Sequence, residues 1–242
     1  MYHKKKIDKR RHHLIIIDTE TAGSIGKPYV YDLGFRVIDT KGNVYEEFSW
    51  VIYDVYVGMK DLMKTAYYAH KLNEYEDGLK QGKWKMVKAI TAFKKIRDIM
   101  RDYNITEVVA YNTNFDHRAL DNTIRATTPY RWFFPAGTEF LDIWNMACST
   151  LYQRKTFFDK AHANNWQSDK GNVRTNAEVG YAYIANLDEF AESHTALEDV
   201  KIEMQILLAC LRAKVKAEDK LCVGNPWRKP QPKWREYKEE RA

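Results

Sequence analysis

Cysteine is scarce in this sequence: 242 residues hold three, Cys148, Cys210 and Cys222. An odd, widely spaced set without a Cys-x-x-Cys pair excludes a disulfide framework and a zinc knuckle, and fits a reducing, cytoplasmic setting. Long apolar runs are lacking too, so no segment reads as membrane-spanning. The opening MYHKKKIDKRRHH is charged and does not lead into the apolar stretch of a signal peptide, so the chain reads as soluble and unsecreted. No internal repeat is evident.

What is present suits one large domain with appendages. The hydrophobic fraction of 45% is ample for a core, which makes disorder a poor description. Lys and Arg outnumber Asp and Glu by 39 to 33, a net +6 that favours a polyanionic partner.

After a basic leader over 1–13, Leu14-Ile15-Ile16-Ile17 reads as a buried central strand ending at Asp18. Apolar and aromatic residues recur over 30–38 and 44–52 around the turn signal Asp39-Thr-Lys-Gly-Asn43, which predicts a hairpin beside that strand. Helical patterning covers 59–79 and 86–103. Residues 107–111 read as a second buried strand, running into a helix that Thr113 or Asn114 caps and that reaches about Arg125. A helix is expected over 141–151, then a polar, basic loop or small insertion over 153–176, then a short helix over 176–185. The last helix begins at Thr195, where Thr-Ala-Leu-Glu198 matches a capping box. A basic tail with Trp227, Pro230, Pro232 and Trp234, over 214–242, reads as irregular.

The chemistry lies in the carboxylates. Asp18 and Glu20 stand two apart on a strand, so both point to one side, where they repel unless a cation sits between them. Hard divalent ions accept carboxylate oxygen and commonly share their shell with substrate phosphate. An Asp-x-Glu pair alone is a weak sign, because acidic pairs at strand ends are common. Asp116 adds a third carboxylate at the mouth of the second buried strand, and His194-Thr-Ala-Leu-Glu-Asp199 adds a fourth beside a histidine at a helix start. Four carboxylates suffice for two ions roughly 3.5–4 Å apart, the arrangement of two-metal phosphodiester cleavage. An unligated His194, with a reference pKa near ~6.5, suits the proton acceptor for an attacking water.

The strings Leu-Ile-Ile-Ile-Asp18-Thr-Glu20-Thr, Tyr-Asn-Thr-Asn-Phe-Asp116 and His194-Thr-Ala-Leu-Glu-Asp199 resemble the three motifs of the DEDDh (DnaQ-like) 3′→5′ exonucleases, in that family's chain order. The resemblance covers Leu14 to about Arg212. It implies an α/β, RNase H-like fold with a mixed central β-sheet flanked by helices. It also implies two Mg²⁺ or Mn²⁺ ions on Asp18, Glu20, Asp116 and Asp199, with His194 as general base. The expected partners are 3′ ends of single-stranded DNA or RNA, with Glu20 and Thr21 near the terminal 3′-hydroxyl. Asn112 and Phe115 join Thr21 as candidate substrate contacts. The histidine spacing is the most specific signal, since it separates this branch from one that uses tyrosine. Two departures concern substrate choice: Tyr111 stands where relatives often carry histidine, and the segment before His194 is long and basic.

Three other readings compete: an exoribonuclease of the same family, a nucleic-acid-binding module with a silent site, and a structural RNase H-like domain. A lone domain of this kind fits a repair, RNA-processing or phage-encoded enzyme. Phe115 is a stacking residue or core. Arg154, Lys155, Trp166 and Arg174 interleave cations with an aromatic as single-strand binders do, or form a solvated loop anchored by one tryptophan. His12 and His13, in the charged leader, are expected to be exposed.

Overall fold

A computed structural model describes residues 12–66, 68–213 and 225–241. Most of the basic leader, Cys222 and the first part of the tail lie outside the described residues. Among the described residues, six strands form one mixed sheet in the order β4-β3-β2-β1-β5-β6, flanked by helices. The strands are β1 His13–Ser24, β2 Lys27–Asp39, β3 Val44–Ile52, β4 Lys85–Val87, β5 Glu107–Ala110 and β6 Glu139–Asp142. β1–β2 and β2–β3 are antiparallel, and the short β4 joins β3 in parallel. The continuous apolar run Leu14–Ile17 is wholly buried, as a strand with neighbours on both edges requires.

Between β3 and β4 lie α1 Tyr53–Tyr56, α2 Lys60–Met63, a turn of 3₁₀ helix at Ala69–Lys71 and α3 Leu72–Gln81. The single helix expected over 59–79 is therefore broken. Thr65 supplies a reason: its hydroxyl donates to the carbonyl of Leu62 at 2.6 Å and accepts the N–H of Gly23 at 2.9 Å, so its side chain competes with the helix ladder. Helix α4, Ala89–Tyr103, starts later than the expected 86 because 85–87 are spent on β4. Asp54 accepts the otherwise orphaned N–H of Ala89 at 2.6 Å. Ala92, Phe93, Ile96, Ile99, Met100 and Tyr103 form its buried stripe.

Helices α5 Thr113–Thr127, α6 Ile143–Ser149, α7 Lys155–Ala163, α8 Ala177–Ile184, α9 Ala196–Leu211 and α10 Gln231–Glu239 follow among the described residues. Three expectations are corrected here. The helix placed over 141–151 is preceded by β6, and Asp142 caps α6 by accepting the N–H of Trp144 at 2.9 Å. The 153–176 segment, expected as a loop or small insertion, is not all loop: it contains α7, whose Phe157, Phe158 and Ala161 are buried. The tail is not irregular: α10 buries Trp234 and Tyr237. Its prolines sit at the helix entrance, where a missing N–H costs nothing. His13 is likewise buried at the start of β1, edge-on to Tyr45 and Tyr103 at 4.8 and 5.4 Å, rather than exposed.

The chain divides into two compact units, one of Met1–Val108, Asn114–Glu139 and His194–Val200, the other of Val109–Thr113, Phe140–Ser193 and Lys201–Ala242. The five acidic and histidine candidates all belong to the first. Among the described residues, no helix is long and apolar enough to cross a membrane.

Candidate active site

Strand β1 does not stop at Asp18 as expected but continues to Ser24, because its pairing with β2 runs on to the tight turn between Ser24 and Lys27. Asp18 and Glu20 are therefore mid-strand. Asp18 pairs with Gly34 and Glu20 with Asp32, and directly opposed residues of an antiparallel pair share a sheet face. Just beyond, the register shifts so that Thr21 faces Val30, leaving Tyr31 as the extra residue of a bulge. Bulges sharpen the local twist and re-aim neighbouring side chains.

The start of α9 reaches this face at Gly34. A Cβ there would stand 2.3 Å from the carbonyl carbon of Ala196 and from the nitrogen of Leu197, so only glycine admits the helix at this distance. Asp32 fixes the same turn. It is fully buried, and its Oδ2 accepts the N–H of Ala196 at 3.0 Å and the hydroxyl of Tyr75 at 2.7 Å. Burial raises its pKa to about 6, against the lowering effect of those two hydrogen bonds.

Two residues before α9, His194 has φ of 50°, a left-handed conformation uncommon outside glycine. Its imidazole stacks on the ring of Tyr68. Asp199 is buried in the first turn of α9. One ligand-type atom from each of Glu20, His194 and Asp199 lies within 4.8 Å of the others. Two carboxylate oxygens and an imidazole nitrogen suit a divalent cation. Asp18 and Asp116 stand outside that group of three. Asp116 is buried in the first turn of α5, and its Oδ1 accepts the hydroxyl of Thr19 at 2.7 Å, tying α5 to the strand residue between Asp18 and Glu20.

The candidate substrate contacts are more dispersed. Thr21 is half-buried beside the bulge. Phe115 is half-buried, with the Arg118 guanidinium 5.8 Å from its ring centre. In the second unit, Asn112 is exposed, has φ of 71° and donates its N–H to Asp142 at 3.2 Å. Tyr111 is committed to structure there: its hydroxyl meets that of Tyr152 at 2.9 Å, and burial holds its pKa well above the usual value. Trp166 is buried and donates Nε1–H to the carbonyl of Asp188 at 3.0 Å, which makes it an anchor and not an open stacking surface.

Three residues were not singled out from sequence: Tyr68, Asp32 and Gly34. A glycine inside a strand pattern is a sign of close backbone approach, so Gly34 carried a readable signal. Tyr68 carried none, because its position depends on folding of the segment between β3 and β4.

No protein-family model matches the sequence, and no curated protein does either. Solved structures do match. Exonuclease I of E. coli in complex with a dA16 oligonucleotide aligns over 81% of this chain at TM-score 0.50 and 14% identity. The same enzyme with a dT13 oligonucleotide aligns over 82%, at TM-score 0.50 and 15% identity. A 3′-exonuclease that recognises the histone mRNA stem-loop aligns over 91% of this chain and 71% of its own, at TM-score 0.49 and 11% identity. This chain spans about two fifths of exonuclease I, 40% and 41% in the two complexes. The mixed six-stranded sheet with flanking helices is thus the RNase H-like fold that exonuclease I also has.

Proposed function

We propose that the chain is a metal-dependent 3′→5′ exonuclease that removes nucleoside 5′-monophosphates from single-stranded nucleic acid, DNA in the first instance. The observation that carries this reading is the convergence of Glu20, His194 and Asp199 donor atoms within 4.8 Å. These are three of the five residues that the DEDDh resemblance singles out from distant parts of the chain. DNA is favoured because the two exonuclease I complexes hold oligodeoxynucleotides.

Asp18, Glu20, Asp116 and Asp199 would hold the ions, Mg²⁺ or Mn²⁺, since oxygen-rich sets suit hard cations. When bound, such ions neutralise charge at the scissile phosphate and acidify a water molecule. His194 accepts a proton from the attacking water as that water's oxygen bonds to the terminal phosphorus. The P–O3′ bond breaks with its electron pair on the 3′ oxygen, which takes a proton from solvent. The stack on Tyr68 and the anchoring of α9 by Asp32 hold the acceptor in place. Thr21, beside Glu20, is the candidate contact for the terminal 3′-hydroxyl.

The test uses 5′-labelled single-stranded DNA and RNA, free or blocked at the 3′ end, with Mg²⁺, Mn²⁺ or EDTA, and Asp199→Ala as control. Metal-dependent shortening from free 3′ ends, lost in the variant, supports the reading, and the two substrates rank DNA against RNA. A wild-type protein that binds these strands but shortens none under any metal overturns it in favour of a binding module.

A further inference from the structure

The loop after α5 is anchored from below and open above. Phe133 and Phe134 are buried, and the N–H of Phe133 donates to the buried carboxylate of Asp121 at 2.8 Å. The three residues before them turn outward. Trp132 is 52% exposed and Tyr130 45% exposed, a large aromatic area to leave in water. Trp132 is flanked by cations: the guanidinium carbons of Arg131 and Arg125 lie 5.0 and 5.7 Å from its ring centre. Tyr130 packs on Phe93 at 4.5 Å, and the Arg97 guanidinium lies 4.9 Å from that ring. Among the described residues, none of these three arginines makes an ion pair, unlike Arg101 further along α4, which meets Asp98 and Asp102.

We propose that Trp132 is a stacking platform for a base of single-stranded nucleic acid, with Arg125 and Arg131 meeting the adjoining phosphates. A half-exposed indole stacks on any base. The Arg125 guanidinium, held by its bonds to the Asp121 carbonyl and Asn122 Oδ1 at 3.0 and 2.9 Å, has no carboxylate partner among the described residues and so keeps, with Arg131, a charge that the backbone complements. The surface is separate from the acidic site. Arg125 follows Asp116 by nine residues on α5, about 14 Å along the axis and half a turn round at 3.6 residues per turn. The patch is thus a second contact for a strand and not part of the cleavage chemistry. Its partner class rests on the exonuclease reading; its geometry does not.

The experiment measures binding of fluorescein-labelled oligo(dT) and oligo(U) of twenty nucleotides to the full chain by anisotropy, in EDTA so that nothing is cleaved. Trp132→Ala is expected to weaken binding roughly 5- to 150-fold, the range of one lost base stack. Trp132→Phe, which keeps an aromatic face, should recover most of that loss. Replacing both Arg125 and Arg131 by Gln should flatten the dependence of log affinity on log salt by about 1.4, two single-strand phosphate contacts. Blunt duplex, whose base faces are covered, should bind Trp132→Ala and wild type alike.

Unchanged oligonucleotide affinity in both Trp132→Ala and the double arginine variant overturns the proposal. So does unchanged affinity with lost self-association in sedimentation, which would assign the patch to a protein contact. Binding in EDTA is read without turnover, so a platform that works in a chain that cleaves nothing would sink the exonuclease reading alone. Cleavage that persists while Trp132→Ala and the arginine variant bind normally would sink the platform alone.

Discussion

The imidazole of His194 lies flat against the phenol ring of Tyr68, with ring centres 4.1 Å apart and planes 15° from parallel. His194 also sits in a left-handed backbone conformation immediately before the buried start of α9. A side chain so held has less rotational freedom than one on an open loop, and a stacked aromatic pair contributes about 0.5–1.5 kcal/mol. Tyr68→Phe, which keeps the stack, should leave turnover near wild type. Tyr68→Leu should lower kcat by roughly 2- to 10-fold, and His194→Ala by about 10²–10⁴-fold, the usual contribution of a general base. Single-turnover rates on labelled DNA check this. A Tyr68→Leu enzyme as fast as wild type would remove Tyr68 from the positioning of His194.

Gly34 is expected to be intolerant although it is distant in sequence from every candidate ligand. A methyl group at this position meets backbone, not the end of a flexible side chain, so α9 or β2 must shift. Moving α9 displaces Asp199 and the loop bearing His194 together. Gly34→Ala should cost ~1–3 kcal/mol of stability as overpacking does, and should reduce activity by more than that loss of folded protein accounts for. Comparing the melting curve with activity per folded molecule separates the two. Wild-type activity in a folded Gly34→Ala protein would show that the approach of α9 to β2 does not govern the site.

Asp32 makes a prediction about pH. Its folded-state pKa, about 6, lies above the reference value of 3.8. Between those values the folded chain holds a proton that the unfolded chain has released, so this group stabilises least once it is ionised. Stability should fall as pH rises from about 4 to about 6, by up to ~3 kcal/mol at 1.36 kcal/mol per pKa unit. Asp32→Asn, which carries no charge, should lack that component. Denaturant unfolding of both proteins from pH 4 to 8 in EDTA reads the difference, and parallel curves would remove Asp32 as its source.

How much of this was legible in the sequence depended on whether the signal was local. The buried strand over Leu14–Ile17, the hairpin around Asp39–Asn43 and the start of α9 after Thr195 follow from short-range pattern, and the structure has them, although β1 runs on past Asp18 to Ser24. The spacing of Asp18 from Glu20 was readable in the same way, because strand geometry converts it into a shared face, whereas His194 stands outside α9 in a left-handed conformation and reaches Asp199 by no helical rule. The break within 59–79 was not readable, because it depends on Thr65 bonding to Gly23, 42 residues earlier. Helix α7 was hidden by its polar surface, since only Phe157, Phe158 and Ala161 face inward. The stack of Tyr68 on His194 joins residues 126 apart, and no local rule reaches that far.

The second unit offers a test of the tail. Trp234 is 1% exposed, donates Nε1–H to the carbonyl of Gly171 at 3.0 Å and stacks on Tyr237 at 5.6 Å. Removing a buried tryptophan costs about 3–5 kcal/mol through lost burial and the cavity left behind. Trp234→Ala should therefore lower the thermal midpoint clearly, and Trp234→Phe less so, in calorimetry. An unchanged midpoint would mean that α10 is dispensable to the fold.

The last prediction separates a ligand from a base. The His194 ring nitrogen belongs to the same 4.8 Å group as the Glu20 and Asp199 oxygens, so geometry alone allows it either role. The roles differ in what its removal does to metal binding. A cation that binds the folded chain alone stabilises it by about 2.7 kcal/mol at a hundred times its Kd. Glu20→Gln and Asp199→Asn should lose most of the Mn²⁺-induced rise in melting temperature, because each removes an oxygen ligand. His194→Ala should keep that rise while losing turnover, since a proton acceptor contributes nothing to holding the ion. If His194→Ala instead loses the metal-induced rise along with activity, the imidazole is a ligand and another group must accept the proton. Should all three variants and wild type melt alike with and without Mn²⁺, these residues do not hold a metal at all.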